Sequence, residues 1–151
     1  MRINKILVVI LALLIPFIIL MGGVRLIMRP AFAEFEYDRA GFPRDPYDME
    51  TQERKQWAGY SIRYLINDEP IDYLGNLQNF QGQKIFTESE LSHMLDVKEV
   101  VQGALIAWYI LIGLSVAILG WFLIMGQWSS MRHAFQAGGW VTLSLIGALL
   151  I

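Results

Sequence analysis

Residues 87–125, TESELSHMLDVKEVVQGALIAWYILIGLSVAILGWFLIM, decide how this chain folds. Thr87 is followed three residues later by Glu90, a capping-box pattern. Each side chain can satisfy an unpaired backbone N–H at a helix start. No Pro or Gly interrupts the next fifteen residues. The spacing predicts one long helix over residues 88–125, amphipathic first and apolar afterwards. Val100–Met125 contains no charged residue, and a helix needs only about 20 residues to cross the ~30 Å hydrocarbon layer. His93 lies seven residues before Val100. At about 1.5 Å per residue its ring stands about 10 Å outside the apolar boundary, at headgroup depth.

Two more uncharged runs lie on either side. Ile6–Val24 is long enough to span, and Pro16 within it is tolerated in lipid as a kink. Ala31-Phe32-Ala33 looks like a signal-peptide cleavage site, but Arg25, Arg29 and Pro30 separate it from the run, so a retained span is expected. Ala137–Ile151 is fifteen residues and the sequence stops inside it. The expectation is therefore an all-α integral membrane protein with three visible transmembrane helices and a small extracellular cap. Its parts are a first span (1–29), a cap with a juxtamembrane helix (30–98), a second span (99–126), a cytoplasmic loop (127–136) and a truncated third span (137–151). Gly138-Gly139 at the head of the third run permits close helix packing.

Charge orients these parts. All fourteen acids fall between Glu34 and Glu99, against seven basic residues there, a net of −7. Arg2, Lys5 and Arg132 stand in acid-free segments, which the positive-inside rule places in the cytoplasm, with the acidic middle outside. Arg25 and Arg29 oppose this and must snorkel. An acidic polar region repels phosphates, which excludes a nucleic-acid surface. The absence of Cys excludes disulfides and thiolate chemistry. No HExxH-like spacing offers a metal site and no Gly-rich loop a phosphate site.

Within the cap, Pro30–Pro46 reads as an extended loop rich in Pro, Gly and aromatic residues. Asp48 can cap a helix over about Met49–Ile66, where Trp57, Tyr60, Tyr64 and Leu65 share one face. Such a face is first of all a packing face. Asn67–Pro70 stops the helix, and Tyr73–Phe86 holds short strands or only turns. His93 has Glu90 and Asp96 three residues to either side and Ser89 four before. A carboxylate at that spacing can orient an imidazole and favour its charged form. Ser89 and His93 also have the spacing of a nucleophile–base pair. The plain alternatives are a solvent-facing serine and an interface-anchoring histidine. His133, beside Arg132, falls on the opposite side of the second span, so the two histidines are not a dyad.

The run Glu90-Leu91-Ser92-His93-Met94-Leu95-Asp96-Val97-Lys98 resembles the His-Met-x-Asp-Val-Lys signature of the bacterial lipoprotein intramolecular transacylase family. Phe35-Glu36-Tyr37, Tyr64-Leu65, and Gly138-Gly139 with Thr142 agree with it. The resemblance implies a multi-pass protein of the bacterial cytoplasmic membrane with four helices, the fourth in the complete protein, and an outer cap. It implies an acyltransferase without cofactor. The acyl chain moves from the sn-2 oxygen of a diacylated lipoprotein to the α-amino group of its N-terminal cysteine, leaving the lyso form. Two outer-face histidines serve as acid and base in the family. His93 matches the first; the second belongs to a segment this sequence does not contain. On this reading His93 is catalytic, Asp96 or Glu90 orients it, and Tyr37, Trp57, Tyr60 and Tyr64 line the substrate cleft. The partners are the lipoprotein and membrane lipid. The alternative is a non-catalytic membrane-anchored cap or a small subunit of a membrane complex.

Overall fold

A computed structural model of the chain describes residues 2–44, 49–79 and 81–150. Of the described residues, 78% are helical. Its helices are α1 (Arg2–Ile27), α2 (Pro30–Tyr37), α3 (Thr51–Ile66), α4 (Asp72–Gly75), α5 (Glu88–Ile124) and α6 (Trp128–Leu149). Two compact units emerge, Met1–Gly23 with Leu105–Ile151, and Val24–Ala104.

The first unit packs the start of α1, the second part of α5, and α6. Leu11, Ile118, Phe122 and Ala134 form its buried core, with Leu7, Val8, Ile15, Leu119 and Met131 packed against them. α1 and α5 are both long and apolar enough to cross a membrane, and only 11% and 17% of their most apolar windows are buried. That exposure is unlike the core helix of a soluble domain, whose apolar stripe faces inward. With lipid as apolar as the helices, close backbone packing and polar contacts must hold them together. Gly138 supplies the first: a Cβ built there would lie 2.6 Å from Ile15 Cδ1, 2.9 Å from Ile15 Cβ and 3.1 Å from Ala12 O. Pro16 has no N–H, so Ala12 O loses its usual i+4 donor, and the missing Cβ lets α6 approach that carbonyl. Trp108 supplies a polar contact, its Nε1 donating to Ile18 O at 3.1 Å.

The turn before α6 is tighter than the sequence suggests. Gly126 adopts φ +64°, Gln127 N donates to Phe122 O at 2.7 Å and Gly126 N to Leu123 O at 3.1 Å. This is a Schellman stop, which closes the last carbonyls of α5. The connection between α5 and α6 is only residues 125–127, where a polar loop over 127–136 is expected, and α6 starts nine residues before the third apolar run. The polar side chains Ser129, Arg132 and Gln136 fit a helix that begins outside the apolar layer. α6 is not among the helices apolar enough to span.

In the second unit, the expected loop after the first span opens instead as α2. Arg29 is extended (φ −132°, ψ 137°) and Pro30 follows at the helix start, where its fixed φ is pre-organised and its missing N–H costs nothing. α2 packs on α3 and α3 on α4. Arg54 donates to Pro43 O at 2.9 Å and stacks over Tyr37 and Phe42. Lys55 pairs with Asp38. α3 stops at Asn67 (ψ 175°) as its sequence predicts; Asp48, the expected cap, lies outside the described residues. Between α4 and α5 one isolated bridge joins Gln78 and Lys84, with Gly82 at φ +75°, so this stretch holds turns and, among the described residues, no strand.

Candidate functional site

The capping box at the head of α5 forms in full. Thr87 N and Oγ1 donate to Glu90 Oε2 at 2.7 and 2.8 Å, and Glu90 N donates to Thr87 Oγ1 at 3.3 Å. These donors, the backbone N–H first and the hydroxyl second, hold the Glu90 carboxyl below its ordinary value. The consequence for His93 is direct. Glu90 spends its carboxylate on the helix start and, among the described residues, makes no hydrogen bond or ion pair with the imidazole. His93 and Asp96 are both exposed. Among the described residues neither makes a hydrogen bond or an ion pair.

The charged residue that α5 does engage is Lys98, five residues beyond His93. It is only 8% exposed. Its Nζ donates to Asn67 Oδ1 at 3.3 Å and to Glu69 O, and sits 4.0 Å from the centroid of the Tyr64 ring. One turn on, Gln102 Nε2 donates to Asn67 O at 2.7 Å. These bonds tie α5 to the segment where α3 ends. They satisfy carbonyls left over when Asn67–Pro70 breaks the helix. A desolvated ammonium on an aromatic face is worth about 2 kcal/mol. Sequence reasoning passed over Lys98. The signal was there: Leu91, Met94 and Lys98 fall at i, i+3 and i+7, so one charge interrupts the packing stripe of an otherwise apolar face.

The aromatic face of α3 forms, but as packing. Tyr64 is fully buried and stacks on Tyr73 with centroids 6.4 Å apart. Tyr60 meets Tyr73 at 5.9 Å and Trp57 meets Tyr60 at 6.0 Å. Burial pushes the Tyr64 phenol up, and its hydroxyl has no hydrogen-bond partner among the described residues. Tyr37 belongs elsewhere. With Phe42 and Arg54 it lines a pocket of about 290 Å³. A second pocket of about 390 Å³ lies between α2 and α3, edged by Glu34, Asp38, Lys55 and Arg63. The four aromatic residues expected around one cleft are thus divided between a stacked core and a separate pocket. No group of three or more His, Asp and Glu able to hold a metal ion occurs among the described residues.

A family model described as lipoprotein intramolecular transacylase Lit matches residues 9–151. Over 95 residues the chain is 33% identical to an uncharacterized protein of Aquifex aeolicus (strain VF5). The alignment covers 63% of this chain and 44% of that protein, so the chain spans under half the length of this relative. No solved structure matches.

Proposed function

The chain belongs to the lipoprotein intramolecular transacylase family, and on that premise we propose that it takes part in O-to-N acyl transfer within diacylated lipoproteins at the membrane, with His93 as the proton carrier. In this reaction the α-amine attacks the sn-2 ester carbonyl. A C–N bond forms, the C–O bond of the glyceryl ester breaks, and the amine proton ends on the released glyceryl oxygen. No external acyl donor is consumed, and an amide replaces an ester. The chemistry needs a neutral amine, a protonated leaving group and the two ends held together. Orientation alone is worth about 7–11 kcal/mol of barrier. One imidazole can accept the amine proton and return it to the leaving oxygen.

Family membership carries this reading, and α5 supports it with a rigid mount. His93 lies on a helix fixed before it by the Thr87–Glu90 box and after it by Lys98. An exposed ring is accessible to a substrate arriving from the lipid surface. Asp96 is the carboxylate left to orient that ring, since Glu90 serves the cap. We assign residues 30–98, with the first turns of α5, to an outer cap, α1, the part of α5 beyond residue 98 and the apolar part of α6 to membrane spans, and the N-terminus to the cytoplasm. Tyr60 and Trp57, half-buried on α3, are the aromatic residues open to acyl chains. The test is lipoprotein processing by the complete protein carrying His93→Ala. Loss of the lyso form by mass spectrometry is expected. Unchanged yield removes His93 from the mechanism.

A further inference from the structure

The first unit contains a pocket of about 430 Å³ lined by Asn4, Lys5, Val8, Val9, Gln127, Ser130 and His133. None of these residues belongs to the unit that carries His93. The wall changes character along α1: Val8 and Val9 belong to the apolar run, while Asn4 and Lys5 precede it. The pocket therefore straddles the boundary between the apolar stretch and its basic flank. The unit has Arg2, Lys5 and Arg132 and no acid, so nothing within it neutralises them. The start of α6 adds to the field. Its N-cap Gln127 makes no side-chain cap bond, which leaves first-turn amides open and the positive end of the helix dipole unanswered. His133 Nδ1 donates to Ser129 O at 2.7 Å, so Nε2 is the ring nitrogen left for a ligand. Trp121 donates to Asn4 at 3.5 Å, and Trp128 is 59% exposed, the placement of aromatic residues at a headgroup layer.

We infer that this pocket holds the headgroup of an anionic phospholipid, its phosphate between Lys5, Ser130 and the α6 amides, its glyceryl end on Val8 and Val9. Positive charge alone would attract any anion. The apolar wall continuous with a membrane helix selects one that carries acyl chains.

The test uses the full chain in nanodiscs of phosphatidylcholine doped with phosphatidylglycerol, read by native mass spectrometry after transfer to detergent. Phosphatidylglycerol should be retained in preference to phosphatidylcholine. Lys5→Gln should lower its retention about fivefold and Lys5→Glu further. Lys84→Glu, the same charge change in the other unit, should leave retention unaltered. If Lys5→Glu fails to fold, Ser130→Ala gives the same reading. Equal retention of the two lipids overturns the inference, as does an equal loss in Lys84→Glu. Displacement by millimolar inorganic phosphate would mark a free-phosphate site instead, and a co-purifying protein seated there would mark a protein interface; either result also overturns it.

Discussion

Gly138 and Gly139 are neighbours in one helix, and the same substitution at each should act in opposite directions. A Cβ at Gly139 meets nothing within 4 Å. Ala there gains helix propensity, about 0.5–1 kcal/mol. A Cβ at Gly138 meets Ile15 Cβ at 2.9 Å and Ala12 O at 3.1 Å, against the roughly 3.5–4.0 Å at which carbon atoms attract. Rotating Ile15 moves its Cδ1 away, but neither its Cβ nor the Ala12 carbonyl can follow. α1 and α6 must then separate by a fraction of an ångström. The typical cost of such overpacking is about 1–3 kcal/mol. The propensity gain is common to both sites and cancels in the comparison. Gly138→Ala should therefore be less stable than Gly139→Ala by about 1–3 kcal/mol, a roughly 5- to 150-fold ratio of unfolding constants. Reversible unfolding in mixed micelles, followed by circular dichroism, measures the difference. Equal stability of the two variants refutes the close α1–α6 contact.

Lys98→Met keeps the aliphatic stem but leaves Glu69 O without its donor and Asn67 Oδ1 with only the Glu69 N–H, and it removes the cation from the Tyr64 ring. A loss of about 2–3 kcal/mol is expected, with faster amide exchange at the end of α3 as the readout. Tyr64→Phe deletes a buried hydroxyl that has no hydrogen-bond partner among the described residues and should be neutral or stabilising by up to about 1 kcal/mol. Tyr64→Ala should cost about 3–5 kcal/mol; thermal unfolding of the pair separates packing from polarity. Thr87→Ala should cost about 1 kcal/mol of helix-start stability, seen as fraying by hydrogen exchange at residues 88–91. The same box sets a pH dependence. The Glu90 carboxyl is lowered in the folded state, so its contribution is complete above its unfolded value of about 4.3 and disappears as pH falls through the lower folded value. Acid fraying of residues 88–91 should be present in the parent and absent from Glu90→Ala, which is frayed at every pH.

Local interactions were legible in the sequence because their partners are only a few residues apart. The 88–125 helix, its capping box, the helix stop after Ile66 and the apolar length of α1 all follow from spacing and backbone hydrogen bonding. Small residues at Gly138-Gly139 permit close helix packing, but the partners of Gly138, Ile15 and Ala12, are not legible from spacing. α2 opens at Pro30 although the Pro and Gly of this stretch signal a loop, because Pro in the first turn favours a helix. α6 starts ahead of its apolar run because polarity by itself does not mark a loop: a helix can be polar before it becomes apolar.

The sequence alone determined an all-helical, apolar chain of this family with one histidine at the foot of a long capped helix. Tertiary structure decided which groups meet. Glu90 had two prospective partners within one helical turn, Thr87 and His93, and only the geometry of the helix start gave its oxygens to Thr87. Lys98 found Asn67 and Glu69 some thirty residues away, and Tyr37 parted from Trp57, Tyr60 and Tyr64 to pack on Phe42. A helical repeat fixes the face on which a side chain lies, but which element covers that face depends on turns such as the one at Gly126, and their direction is set by packing rather than by periodicity.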